Sequence, residues 1–195
     1  MTDVDGRIAR GERTRQAVVG ALLSLYKENN LTPTIDDIAS RVGMTSRTIY
    51  HHFEDHEAIA EALREHQRPL IAPHLAAQPS GTLDARVQGL IAQRAELFEF
   101  VAPVRRAALT NMHRSARMRK SQASMASRLR RQVATTFDTE LSQLDDDLRA
   151  ETLEILDLYL SWDTWERLRR WQRLSVTRSK ALVRGLVSET LTPPA

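Results

Sequence analysis

Residues 34–53 read Thr34-Ile-Asp-Asp-Ile-Ala-Ser-Arg-Val-Gly-Met-Thr-Ser-Arg-Thr-Ile-Tyr-His-His-Phe53. Ile35, Ile38, Ala39 and Val42 recur at three- and four-residue spacing and give a short helix one apolar face. Thr34 suits its N-cap, and Asp36 and Asp37 fall in the first turn, where the helix dipole favours negative charge. Gly43 permits a tight turn, Met44 plugs it, and Thr45 caps a second short helix to about His52. Ile49 and Phe53, four residues apart, return that second helix to the core. The pattern predicts two short helices crossing steeply around a tight turn. Ser46, Arg47, Thr48, Tyr50 and His51 are left facing outward, and this set contains no acid. Hydroxyls, a guanidinium and a phenol are the groups that contact phosphates and base edges. Arg47, near the helix start, can reach a guanine edge; Thr48 suits a thymine methyl or a phosphate, and Tyr50 a phosphate oxygen.

Around this hairpin the chain reads as all-α, with about nine helices and no strand-like alternating run. The first helix is expected over Gly11–Glu28, with Val18, Leu22, Leu25 and Tyr26 buried and Asn29-Asn30 ending it. Asp55 caps a fourth helix over residues 56–68, which Pro69 is expected to break or bend. Pro73 and Pro79-Ser80-Gly81-Thr82 read as a linker. Beyond it the spacing predicts a fifth helix over 83–101 and a sixth opened by Pro103. A seventh over 120–141, a long eighth over 145–171 and a ninth over 175–190 follow. Three regions result: a head over 1–54, a connecting helix and linker over 55–78, and a body over 79–195.

Composition narrows the function. Hydrophobic residues make up 42% and charged residues 27% of 195, a globular balance. With no cysteine, a disulfide scaffold, a thiolate metal site and a cysteine nucleophile are all excluded. No leader pattern and no run of about 20 apolar residues stands out, so a cytoplasmic location without membrane contact is expected. The net charge of +3 favours a polyanion only mildly, but its distribution is uneven. From Phe100 to Phe137 there are nine cations (Arg105, Arg106, Arg114, Arg117, Arg119, Lys120, Arg128, Arg130, Arg131) and no acid; from Asp138 to Glu166 there are ten acids and one cation, Arg149. Two neighbouring helical faces that attract each other, or a second polyanion surface, would both give this pattern. His52 and His56 have the i, i+4 spacing of a metal pair, but Asp55 caps a new helix between them. No phosphate-cradling glycine loop and no Gly-x-Ser-x-Gly elbow occurs. A non-enzyme without metal or cofactor is expected.

Residues 14–59 resemble the DNA-binding head of the TetR family of bacterial transcriptional repressors. The similar features are Thr14-Arg15, Leu25-Tyr26, Thr34-Ile35-Asp36-Asp37-Ile38-Ala39, Val42-Gly43-Met44-Thr45, Thr48-Ile49-Tyr50-His51-His52-Phe53 and Glu57. The resemblance implies a three-helix helix-turn-helix head whose third helix enters the major groove, with contacts from Thr45, Ser46, Arg47, Thr48, Tyr50 and His51. It implies backbone support from Thr34 and Arg15. The sequence departs from the family at Asn29-Asn30, where a glycine is usual, at Pro33, and at His56, where a lysine often touches phosphate. Protonation of His56 would restore that contact, which predicts tighter DNA binding near pH 6 than near pH 8. Arg7, Arg10, Arg13 and Arg15 form either a solvated tail or an arm along the minor groove.

Leu158, Trp162, Trp165 and Leu168 make one stripe of the expected eighth helix, and Leu153, Leu156 and Leu160 another. Two stripes imply two buried faces, and Leu156, Leu160, Leu182 and Leu186 are the candidates for a homodimer interface. Ser161–Leu168 also resembles the tryptophan-bearing helix of some TetR-type bodies, which dimerise and hold a small-molecule effector between helices. Phe98, Leu109, Met112, Met125, Leu129, Leu158, Trp162 and Trp165 are the candidate pocket residues, with plain core packing as the alternative for each. The acid-free cationic stretch hints at an anionic effector. Taken together, the resemblance implies a homodimeric repressor on a palindromic double-stranded operator, released by a small molecule. A DNA-binding protein without an effector, or a helical carrier without DNA, remains the alternative.

Overall fold

The computed structural model describes residues 3–111 and 116–192, and among them the chain is all-helical. Its helices are α1 (Asp3–Lys27), α2 (Ile35–Val42), α3 (Ser46–His52), α4 (His56–Ala76), α5 (Leu83–Asn111), α6 (Ala116–Thr136), α7 (Asp138–Leu141), α8 (Asp146–Tyr159), α9 (Trp162–Glu166) and α10 (Val176–Leu191). A π-turn, Arg167–Trp171, continues α9. Among the described residues no helix is long and apolar enough to cross a membrane.

Local chemistry sets most boundaries. Asn29 takes a left-handed backbone (φ 66°) and stops α1. Gly43 does the same for α2 at φ 67°, where a Cβ would be strained. The side chains of Thr34, Thr45, Asp55, Asp145, Ser161 and Ser175 each accept a backbone amide three residues on, at the starts of α2, α3, α4, α8, α9 and α10.

Proline behaves differently from expectation. Neither Pro69 nor Pro73 ends α4, which runs through both to Ala76. Both prolines and Glu65 are exposed, so the carbonyls of Glu65 and Pro69, deprived of an amide partner, can turn to water. Pro103 opens no new helix either; it lies inside α5. Pro103 has no amide to give the Glu99 carbonyl, and the helix continues through it, with Ala102, Ala107 and Ala108 buried on either side. The first helix starts at Asp3, so Arg10 and Arg13 stand on a helix and not in a tail. The long eighth helix is also corrected: the chain breaks at Leu160-Ser161, where Ser161 caps a fresh start.

The chain clusters into two compact units. Residues 3–71 with 101–111 form the first. Its core joins Val18, Leu22 and Leu25 of α1, Ile38 of α2, Ile49 and Phe53 around the end of α3, Ile59 and Leu63 of α4, and Ala107 of α5. Residues 72–100 with 116–192 form the second. There Val87, Leu90 and Ile91 of α5 meet Val133 and Phe137 around the end of α6, Leu156 and Leu160 around the end of α8, and Val183 and Val187 of α10. Each fully buried side chain of this size contributes about 1.5–3 kcal/mol over an exposed one. Arg86 ties α5 to α6 and α7, reaching Glu140 at 2.5 Å and the Thr136 carbonyl at 2.7 Å. Glu140 holds that guanidinium above its ordinary pKa, and Arg86 in turn holds the Glu140 carboxyl low. At Gly89 a Cβ would come within 3.0 Å of Pro79, so a side chain there would push the linker back by a few tenths of an ångström.

Candidate nucleic-acid interface

A seven-residue helix cannot hold itself together in water, so α3 depends on its surroundings. At its start the Thr45 hydroxyl accepts the Thr48 amide at 3.2 Å and lies 2.9 Å from the Thr48 hydroxyl. At its end Arg15 of α1 donates to the His52 carbonyl at 2.6 Å, with its guanidinium 4.4 Å from the centre of the Phe53 ring. Ile49, fully buried, anchors the middle. Arg15 therefore acts on the pose of α3 from behind.

The preceding helix is fixed as firmly. Thr34 and Asp37 cap each other: the Thr34 amide and hydroxyl donate to Asp37 Oδ2 at 2.7 and 2.8 Å, and the Asp37 amide returns to the Thr34 hydroxyl. The Thr34 bonds, the backbone amide first, hold the Asp37 carboxyl below its ordinary range. Arg41 grips Glu28 through both carboxylate oxygens at 2.5 and 2.6 Å and Ser24 at 2.9 Å, locking α2 onto α1. Ser46 donates to Asp36, so one of the outward hydroxyls is engaged within the head and an acid stands beside α3. Sequence reasoning saw no acid in the outward set because Asp36 comes from the neighbouring helix.

What remains exposed on α3 is Arg47, Tyr50 and His51, with Thr45 exposed at its cap and Thr48 half-buried. Tyr50 is 56% exposed, an unusual state for a large aromatic ring on a packed helix. The result is a rigid rod, held at both ends, presenting a guanidinium, a phenol and an imidazole.

His56 does not join this face. It is half-buried, its Nε2 is buried without a partner, and its ring bonds to the Pro33 backbone. Burial pushes its pKa below the ordinary value, which disfavours the charged form, and the buried Nε2 is closed off from a phosphate. The expected lysine-like phosphate contact, and with it tighter binding near pH 6, is thereby corrected. The consequence moves to stability. The unfolded chain, with an ordinary imidazole, takes up a proton first as pH falls through 6.5, so acid favours unfolding. Urea unfolding followed by circular dichroism should show head stability falling from pH 7.5 to 5.5. His56→Gln, which can still donate to Pro33 but cannot titrate, should lessen the fall; an equal fall in both proteins would remove His56 as its cause.

Comparison with known proteins decides what this head is. Residues 21–63, from the core of α1 through α3 into α4, match the family model of bacterial regulatory proteins, tetR family. Residues 21–63 are a TetR-family head. The matched segment is the helix-turn-helix region built from α1 to α4, the DNA-binding part of those regulators. No curated protein matches it. Two solved structures share the fold. One, from Streptomyces coelicolor and described as a TetR-family transcriptional regulator, is 19% identical, with a TM-score of 0.65 over 92% of this chain and 79% of that one. The other, from Mesorhizobium loti and described as a candidate TetR-family transcriptional regulator, is 16% identical, with a TM-score of 0.61 over 93% of this chain and 96% of that one.

In the second unit the candidate pocket residues scatter. Phe98 and Trp165 are buried and line one narrow cavity. Trp162 is buried and packs edge-on against Phe98, the ring centres 5.8 Å apart. Leu129 is buried and lends its carbonyl to Arg94; Met125 is half-buried. Leu158 is 59% exposed and cannot line a cavity, and Leu109, 37% exposed, belongs to the first unit. Met112 lies outside the described residues. Of the interface candidates, Leu156 and Leu160 are 0% and 3% exposed, consumed by the core, with no surface left for a partner. Leu182 is half-buried and Leu186 is 38% exposed. Leu156 and Leu158 lie on opposite faces of α8, and spacing alone cannot say which face turns inward. In the cationic stretch, Arg130 of α6 meets Asp157 of α8 at 3.6 Å, the mutual attraction its charge pattern suggested. Arg114 and the Arg117 side chain lie outside the described residues.

Proposed function

We propose that this chain is a homodimeric cytoplasmic repressor of the TetR family that binds a palindromic operator through α3 and leaves it when a small molecule enters the body. The observation that supports DNA reading most directly is the pinned α3, with Arg47, Tyr50 and His51 exposed while Thr45, Arg15 and Ile49 fix its cap, its end and its buried face. Arg47 is the base-reading residue; Tyr50, His51, Thr45 and Thr48 serve phosphates or neighbouring base edges, and Thr34 and Ser46 steady the hairpin.

Division of labour follows the chain: residues 1–54 contact DNA, 55–78 connect, and 79–195 dimerise and receive the effector. α5 supplies Phe98 to the body core and Ala107 to the head core, so one helix carries residues of both. Dimerisation is supported by leucines left in water: Leu148 and Leu158 on α8, 46% and 59% exposed, and Leu186 on the adjoining α10. Two recognition helices set by a twofold axis match half-sites about 34–36 Å apart.

The double variant Leu158→Glu/Leu186→Glu tests this reading. Both positions are exposed, so the monomer fold should tolerate the charges. Sedimentation equilibrium should show a dimer for the native chain and a monomer for the variant. The variant's affinity for a palindrome should fall to that for a single half-site. A variant that stays dimeric and binds the palindrome as well as the native chain would refute the proposed interface.

A further inference from the structure

Arg94 sits on α5 in line with Val87, Leu90, Ile91 and Phe98, the apolar row that faces the body core, and is only 2% exposed. Nη2 donates to the Leu129 carbonyl at 2.9 Å. Nε and Nη1 are buried and have no hydrogen-bond partner. A buried guanidinium is costly unless an anion and a full set of acceptors offset its desolvation. The acid that pulls on it is Asp157, which is itself half-exposed and paired with Arg130 at 3.6 Å. Burial lowers the Arg94 pKa to about 10, which leaves the group cationic at neutral pH. An undercompensated cation in a packed core calls for a ligand-based explanation.

Arg94 is one wall of an apolar cavity of about 10 Å³, room for one water-sized group, lined also by Phe98, Tyr159, Ser161 and Trp165. We propose that Arg94 anchors the carboxylate of a small apolar or aromatic acid, with Phe98, Tyr159 and Trp165 enclosing the carbon skeleton. This rests on the effector reading above and names the effector's class. A single carboxylate matches one unpaired guanidinium, whereas a phosphate dianion would bring a second charge into a wall with one buried cation. The closed form has room for one water-sized group and not for a carboxylate, so the acid as a whole must displace a wall. α9 supplies the wall that must give: it starts at the Leu160-Ser161 break, is five residues long and ends in a π-turn. Glu99, one turn beyond Arg94, holds it through Trp165 Nε1 at 2.9 Å and Arg169 Nε at 2.7 Å.

Trp165 lines the cavity, so tryptophan emission of the full-length protein reports on it directly. The probes are benzoate, 4-phenylbutyrate and octanoate, with benzamide as the neutral analogue of the first. At least one acid should give a saturable emission change and raise the melting temperature. Benzamide should bind about tenfold or more weaker than benzoate wherever benzoate responds. Arg94→Leu should keep or gain thermal stability, since the uncompensated charge is gone, and should lose the response to acids. Should that variant fail to fold, Arg94→Lys, which keeps the charge but not the planar fork, should weaken binding about tenfold. Silence from all three acids, equal binding of benzoate and benzamide, or an undiminished response in the variant would overturn the proposal. An acid that binds through Arg94 yet leaves operator affinity unchanged would uphold the anion site and refute effector release. Release of DNA by a neutral compound, with no acid bound, would do the reverse.

Discussion

Replacing Ile49 by Ala is expected to destabilise the head by about 2–5 kcal/mol, the range for deleting a buried aliphatic side chain and leaving its cavity. Ile49 is fully buried and is the single buried residue within α3 itself. Its loss removes the middle of three attachments, leaving the Thr45 cap and the Arg15 bond to hold seven residues that have no helical stability of their own. The second unit should be untouched, and the sequence provides a means of seeing this. All three tryptophans, Trp162, Trp165 and Trp171, lie in that unit. In urea, the circular dichroism of Ile49→Ala should therefore show an early helical loss while tryptophan emission keeps its native midpoint. A shift below about 0.5 kcal/mol, the size of an ordinary surface substitution, would mean that α3 is held by something other than this contact.

The second large effect concerns recognition. Arg47→Ala is expected to cost about 1–3 kcal/mol of affinity for the preferred duplex, roughly tenfold to two-hundredfold, with little change on scrambled DNA. Arg47 is exposed on the first turn of α3 and makes no bond or ion pair among the described residues, so truncation should leave folding and dimerisation intact. The salt dependence of binding separates the two roles a guanidinium can play. A base contact leaves the slope of affinity against salt nearly unchanged and relaxes sequence preference. A phosphate contact lowers affinity for all sequences alike and reduces the slope by about one counterion.

The head was legible because its local rules agree with one another. Thr34, Thr45 and Asp55 each precede an apolar row and do cap, and Gly43 does take the left-handed turn. Pro69, Pro73 and Pro103 misled because a proline shows its local cost and not the burial or solvent access that offsets it. The break at Leu160-Ser161 was hidden because the apolar spacing of Leu158, Trp162 and Trp165 continues across it although the backbone does not. His56 reads as a phosphate ligand by position, but its ring turns toward Pro33, a tertiary choice that no spacing encodes. Arg94 was missed for the opposite reason. The acid-free run 105–131 dominates the charge pattern, while the informative signal is a single cation set inside the row Val87, Leu90, Ile91 and Phe98.

The most direct test of DNA reading by a pinned α3 is an affinity ratio. The intact protein would first select a palindromic duplex from a random pool. Its affinity for that duplex and for a scrambled one of equal length would then be measured at the same moderate salt, alongside Arg47→Ala. The native ratio should be on the order of 10³ or more, and that of Arg47→Ala should be lower by the factor given above. A native ratio near one, with a correctly folded dimer in the tube, would contradict sequence-specific recognition by this helix.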